Sequence, residues 1–298
     1  MDKASDFYGK VIKDPFGCPV DMVRELVRRL PDEEFRYVYH GQLTEWPLQT
    51  TLERDCLKAG VSYEEMPSRE CQMIRHFKRW YRGDDQEAVW NDTLYCMSLM
   101  QHHGAPTRLL DWTYSPLVAI YFALEYAQDN CIIENNTCWY PSIAVWRLDQ
   151  KWCKEKAKDI VGEYIIHLRN VDRTRGDSTF LPLYMSDKPQ RFVFMENPLL
   201  LHQRLHLQQG VFLCPGDVTV PFARNISEGF KDWDNVENVV KMTCEIRNKN
   251  QLDEAFGLLS RMNINRETLF PGLDGFAKSM WYRQSLYRGL ANERRGLD

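Results

Sequence analysis

Two short stretches carry the side chains best suited to chemistry. His40-Gly41 closes the run Phe35-Arg36-Tyr37-Val38-Tyr39, whose aromatic and branched residues predict a strand delivering a polar pair at its C-terminal end. The window from Gln101 to Thr113 (QHHGAPTRLLDWT) gathers two adjacent imidazoles, an amide, the Arg108 guanidinium and the Asp111 carboxylate. Such groups are poor core material and good site material where a helix ends in a loop. A plainer arrangement fits the same residues: Arg108 and Asp111 as a structural ion pair, with His102 and His103 at a helix C-terminus where the dipole favours them. Gln208-Gln209-Gly210 is a third polar point, open to reading as a site edge or as a turn whose amides satisfy backbone groups.

Several chemistries lack their residues. No G-x-x-x-x-G-K-[ST], G-x-G-x-x-G after a strand, G-x-S-x-G or H-E-x-x-H occurs, so P-loop hydrolysis, Rossmann dehydrogenation, lipase-type acyl transfer and zincin proteolysis have no template. His202 and His206 in HQRLH have i,i+4 spacing, but no Glu follows the first His, so no metal site is expected. The nine cysteines show no C-x-x-C pair and read as reduced thiols, mostly packed in the core. A net charge of -4 lacks the global positive field of a general nucleic-acid binder and leaves room for a local basic patch. The longest apolar stretch, Leu117 to Ala127, includes Glu125 and is too short to span a bilayer. The opening MDKASDFYGKVIKDP has no apolar core segment, so a cytoplasmic location is expected.

The elements that must position these residues follow from periodicity. Val20, Met22, Val23, Leu26, Val27 and Leu30 predict a first helix over 18–30. A second is expected from Tyr63 to Tyr81, with Met66, Cys71, Ile74, Phe77 and Trp80 on its apolar side. Arg75, Lys78, Arg79 and Arg82 line its other face, a solvated stripe able to meet phosphates. A third runs from Asp85 to His103, and PTRLLDWTYSP after it reads as a loop. Ser115-Pro116 looks like an N-cap and first-turn proline opening a buried helix from Leu117 to Gln128. Residues 129–142, with Asn135-Asn136, read as a loop and 150–160 as helical. Extended runs are expected at Ile143 to Leu148, Tyr164 to Leu168, Arg191 to Met195, Val211 to Cys214 and Val239 to Ile246. Helices are expected from Leu252 to Met262 and from Leu273 to Leu290. Strands and helices in irregular order point to an α+β fold with a mixed, mainly antiparallel sheet. A helical N-terminal segment, 1–34, is expected before one elaborated domain over 35–298.

The polar stretches together form a recognisable pattern. YHGQ at 39–42 with Trp46, QHHGAPTRLLDWTYSPLVAIYFA at 101–123, QR..LQQGVF over 203–212 and LFPGLDG at 269–275 resemble the FRG-domain family over roughly residues 35–290. The family's name-giving Arg is replaced here by His40. FRG domains are similar to distant ADP-ribosyltransferases, whose members place Arg or His-Gly on an early strand. The resemblance implies that His40 bonds the nicotinamide ribose of NAD and that the Gly41 backbone grips its amide. It brings Ser115 and Tyr121 to the nicotinamide, and extends the NAD-binding set to Tyr39, Gln42, Gln101, His102, His103 and Gln208. Where such enzymes carry a late Glu, LQQGVF offers Gln208 and Gln209.

Cleavage of the NAD glycosidic bond builds positive charge on the ribose, which a carboxylate stabilises and a glutamine does not. Asp111, Glu125 or another acid would have to take that role; the expected catalytic set is His40, Gln209 and, as the acid to test, Asp111. Arg108 is expected at the pyrophosphate, and His102 or His103 as a proton relay. The resemblance implies an NAD-dependent transferase, a toxin or phage-defence effector with a macromolecular acceptor, protein or nucleic acid, and possible control by an antitoxin. The missing Glu keeps a non-catalytic module binding nucleotide or ADP-ribose as the alternative.

Overall fold

The computed structural model describes residues 7–8, 12–33, 36–134, 137–171, 177–230, 233 and 238–280. Its strands are β1 (Ile12–Phe16), β2 (Tyr37–Leu43), β3 (Leu110–Thr113), β4 (Ile132–Glu134), β5 (Thr137–Trp139), β6 (Ile143–Asp149), β7 (Val193–Glu196), β8 (Gly210–Pro215) and β9 (Val239–Cys244). Seven of them form one open sheet in the order β1-β9-β6-β2-β3-β8-β7, and β4 with β5 forms a separate hairpin. Every pairing in the large sheet is antiparallel except β1 with β9. The fold is α+β with a mainly antiparallel sheet, as element order predicts.

The chain wraps this sheet in helices on both faces. Helix α1 (Pro19–Glu33) follows β1, so the N-terminal segment is not helical throughout; its strand extends the main sheet. Next come α2 (Thr51–Lys58) and α3 (Met66–Trp80). The helix expected over 85–103 is two, α4 (Gln86–Asn91) and α5 (Thr93–His102). Asp92 divides them in an extended conformation, and its carboxylate accepts the Tyr95 N–H as an N-cap that restarts the helix.

Helix α6 (Pro116–Asp129) opens as predicted, with the Ser115 hydroxyl accepting from the Val118 N–H. It is apolar almost all round because it lies against β2 and between other helices. Then follow α7 (Gln150–Val161), α8 (Glu163–Val171) and α9 (Asp177–Tyr184). The run Tyr164 to Leu168 is thus helical rather than extended. Gly162, at φ 92, ends α7, and burial in α8 falls on Ile166 and Arg169, three residues apart. Short α10 (Gln203–Leu207) and α11 (Phe222–Ser227) flank β8, and α12 (Lys249–Arg261) and α13 (Arg266–Leu269) follow β9. Residues 273–280 are helical; the rest of the helix expected to Leu290 lies outside the described residues, as do Phe35 and Asn135-Asn136.

Two cores result. One packs α1, α6 and α12 against Tyr37, Tyr39, Val145 and Met242 of the sheet. The other packs the α5, α7 and α9 side against Val38, Trp146, Phe194 and Phe212. The segment PTRLLDWTYSP is a loop only at its ends, because Leu110–Thr113 forms β3 inside the sheet between β2 and β8, paired with β8 from Leu110↔Leu213 to Thr113↔Gly210. A strand of four residues with a carboxylate inside it shows too few alternations to declare itself. Residues 129–142, read as a loop, contain the β4-β5 hairpin.

Candidate functional site

The sheet splits where the polar residues gather. Strand β2 pairs with β6 from Tyr37↔Asp149 to Leu43↔Ile143, yet it meets β3 only at Tyr39↔Thr113. Beyond that pair the strands part, leaving a cavity of about 60 Å³ lined by His40 and Gly41 on β2 and by Asp111 and Trp112 on β3. Phe122 and Tyr126 of α6, with Arg204 and Gln208 around α10, complete its wall. His40 is therefore in mid-strand, not at a strand end, and its imidazole replaces a missing backbone rung. Its Nδ1 lies 2.6 Å from the Asp111 carbonyl oxygen, and its Nε2 lies 3.1 Å from Gln42 Oε1. The Gln42 amide donates in turn to the Trp46 carbonyl at 2.7 Å.

Two acceptors thus face one imidazole, and a neutral ring can donate to only one of them. The shorter contact assigns the proton to Nδ1. Burial holds the His40 pKa below the ordinary imidazole value, against the opposing pull of the Asp111 carbonyl and of Gln42. Asp111 shifts the other way. Burial raises its carboxyl above the usual aspartate value, opposed by a hydrogen bond from Gln101 and by the charges of Arg204 and His40. Much of its surface is open, but that surface gives onto the walled cleft. The site therefore pairs a neutral imidazole with a carboxyl that ionises late, an arrangement suited to proton transfer or to stabilising developing positive charge. Tyr126, pushed up to about 12 chiefly by burial and then by Asp111, stays a neutral donor beside them.

Gly41 is required for a different reason than a turn. A Cβ built on it would lie 1.7 Å from the Ala119 carbonyl oxygen of α6, so its hydrogen lets helix and strand approach closely enough to wall the cleft. The two later motifs brace the opposite wall. The Gln208 amide donates to the Leu269 carbonyl at 3.0 Å, and the Gln208 carbonyl accepts from the Thr113 hydroxyl at 2.7 Å. Phe270 lies under the Arg204 guanidinium, 4.5 Å from ring centroid to Cζ, and packs edge-on against Phe122.

The structure sorts the sequence-based candidates. It brings Tyr39, His40, Gly41, Asp111 and Gln208 into the cavity wall, with Gln42 and Gln101 directly behind His40 and Asp111. Gln209 does not line the cavity; it is exposed at φ 48, its backbone tied to Tyr114 and His206. Arg108 is also elsewhere, buried and bonded to Glu70, so it neither reaches a pyrophosphate nor pairs with Asp111. Ser115 serves as a helix cap, and Tyr121 faces the core, its hydroxyl donating to Glu125. Phe122, Tyr126 and Arg204, which the sequence reading did not single out, line the cavity, whereas Tyr121 and Arg108 do not. The available clue was the α6 stripe Ala119, Phe122, Tyr126, a small residue and two rings at i, i+3 and i+7. Trp112, also in the wall, has a buried indole N–H without a hydrogen-bond partner among the described residues.

His102 and His103 are exposed at the rim, where the His102 ring lies 4.8 Å from that of His202. Among the described residues, no group of three or more His, Cys, Asp or Glu side chains could hold a metal ion, and all nine cysteines are free. His202 caps α10, its Nδ1 accepting the Leu205 N–H at 3.1 Å. Burial, then the charges of His102, Arg204 and His103, lower its pKa from 6.5 to about 4. A depressed folded pKa means that the unfolded chain takes up the proton first. The contribution is complete above pH 6.5 and is lost as pH falls from 6.5 to about 4. His202→Asn keeps a capping acceptor without the titration, so its urea midpoint should fall less between those pH values than that of the parent. Parallel losses in the two proteins would refute this.

No curated protein and no solved structure gives a match to this chain. The family model of the FRG domain matches residues 35–131, a segment that contains β2, the window 101–123 and β3. The motifs at 203–212 and 269–275 lie beyond the match, although Arg204, Gln208 and Phe270 complete or brace the cleft. Both strands that part to form the cleft thus belong to the segment, residues 35–131, that matches the FRG domain.

Proposed function

We propose that the split between β2 and β3 is the active site of an NAD-dependent, ADP-ribosyltransferase-like enzyme. The observation carrying this reading is that His40 and Asp111, with pKa values displaced in opposite directions, line one cleft. The C1′–N bond of NAD would break with its electron pair passing to the nicotinamide ring, and the ionised Asp111 carboxylate would stabilise the cationic ribose. An acceptor oxygen or nitrogen then bonds C1′ and gives up its proton, for which the neutral His40 ring is the nearby base. The rings of Phe122 and Tyr126 suit an aromatic ligand. The cavity of about 60 Å³ falls well below the roughly 300 Å³ of small-molecule sites. It therefore takes the ring end of a dinucleotide only as the rim around Arg204 opens.

The test is nicotinamide release from NAD, followed by chromatography with protein and nucleic-acid acceptors present. His40→Ala and Asp111→Asn should each slow release about 100-fold or more while the circular dichroism stays unchanged. In the parent protein the rate should rise with pH through an ionisation above the usual aspartate range, a limb that Asp111→Asn abolishes. Absence of release under every acceptor condition refutes catalysis. The outward-turned Gln209 favours a second reading, a module that holds ADP-ribose without turnover. Calorimetric binding of ADP-ribose without nicotinamide release selects it. As an enzyme, the protein would act as a toxin or defence effector on a macromolecular target.

A further inference from the structure

Helix α3 has an unusual outward face. Residues 66–82 carry five cationic side chains, Arg69, Arg75, Lys78, Arg79 and Arg82, and one carboxylate, Glu70. Glu70 is turned inward and held by Arg108, which leaves the exposed side of the helix without an acid of its own. Arg69, Arg75 and Arg79 are exposed and make no ion pair among the described residues. Two indoles stand beside them in solvent, Trp80 at 82% and Trp90 at 48% exposure. Tryptophan is rarely left so open without a partner to cover it.

Between α3 and the α4–α5 pair lies a groove of about 220 Å³, larger than the cleft. Ile74 and Met185 supply apolar surface, and Arg75, Lys78 and Trp90 supply charge and a ring. Lys78 fixes the arrangement, its ammonium donating to the Trp90 carbonyl at 3.1 Å and to the Thr93 hydroxyl at 3.2 Å. Exposed Asp84 and Glu87 adjoin the C-terminal end of the basic face. With the whole chain at -4, this face is a local exception rather than part of a general positive field.

We propose that this face binds single-stranded nucleic acid, with phosphates on Arg75, Arg79 and Arg82 and an unstacked base in the groove against Trp90. Cations at helical spacing beside an open indole match what a single strand offers, an anionic backbone with planar bases. An acidic peptide would satisfy the arginines and leave the indole uncovered. None of these residues lines the β2–β3 cleft, so the surface stands or falls apart from NAD chemistry.

The experiment is fluorescence anisotropy of the full chain with a fluorescein-labelled oligouridylate of about 12 nucleotides. Three phosphate contacts predict a slope of log affinity on log salt near -2, about a 15-fold loss between roughly 50 and 200 mM salt. The double variant Arg75→Ala/Arg79→Ala should bring the slope to about -0.7. Trp90→Ala should weaken binding about 5- to 100-fold, and Trp90→Phe should retain most of the affinity. Circular dichroism of each variant excludes unfolding as the cause. No binding at about 100 μM protein overturns the proposal, as does an unaltered affinity in the folded variants. Equal binding of polyglutamate, or of a duplex of the same length, overturns it too.

Discussion

Arg108→Met should destabilise the protein by about 3–5 kcal/mol, because it strands the Glu70 carboxylate in the interior. Both side chains are 2% exposed. Arg108 Nε donates to Glu70 at 2.8 and 3.0 Å, Nη2 donates to the same carboxylate, and Nη1 donates to the Tyr184 carbonyl at 2.5 Å. Burial opposes the charged guanidinium, and the adjacent carboxylate more than compensates, holding its pKa above the ordinary value. The pair ties α3 to the start of β3 and, through Tyr184, to a second buried pair. The Tyr184 hydroxyl donates to Glu196 at 2.8 Å, and Arg169 donates to Glu196 from α8. Domains of this kind have about 5–15 kcal/mol in total, so the single variant should unfold at a markedly lower urea concentration. Glu70→Leu combined with Arg108→Met should recover most of the loss, since removing both charges also removes the desolvation cost. By contrast, Arg36→Ala breaks a half-exposed bond to Asp149 and should cost about 1 kcal/mol or less. Equal losses from Arg108→Met and Arg36→Ala would contradict the assignment.

Gly41→Ala should cost about 3 kcal/mol and suppress any activity of the cleft more strongly than its stability loss alone would. The added methyl would lie 1.7 Å from the Ala119 carbonyl oxygen, 2.7 Å from its carbon and 3.0 Å from the Ala123 nitrogen. All three are backbone atoms of a helix, so no rotamer change relieves the clash, and β2 or α6 must shift. Moving α6 carries Phe122 and Tyr126 with it, and these form the aromatic wall. Gly60→Ala provides the comparison. Gly60 has φ 74, and a methyl added there would meet nothing within 4 Å, so the backbone conformation alone limits its cost to about 1–2 kcal/mol. Urea midpoints of both variants, with nicotinamide release or ADP-ribose binding as the second readout, check the claim. A Gly41→Ala protein within about 0.5 kcal/mol of the parent would show that the helix does not seat on the strand.

The readings that held rest on local physics. Ser115-Pro116 capped the predicted helix because a hydroxyl before a first-turn proline satisfies the same orphan N–H wherever the helix lies. Strands such as Ile143–Asp149, buried on both faces, showed themselves as continuous apolar runs. Those that failed depended on neighbours distant in sequence. Tyr164–Leu168 has strand-forming residues, yet packing onto a single buried stripe made it helical. Arg108 and Asp111 sit three residues apart in a polar window, but one was drawn into the interior by Glu70, 38 residues earlier, and the other faces the cleft.

Element order by itself indicated that the sheet is mainly antiparallel, and the resemblance to the FRG domain joined the His-Gly strand to the 101–123 window. Only the tertiary structure decided what each side chain does. It parted β2 from β3 beyond Tyr39↔Thr113, put the His40 ring on the freed Asp111 carbonyl and left Gln209 outside. The physical reason is that a polar side chain seeks any partner that repays its desolvation, and for Arg108, His40 and Gln208 those partners come from other elements.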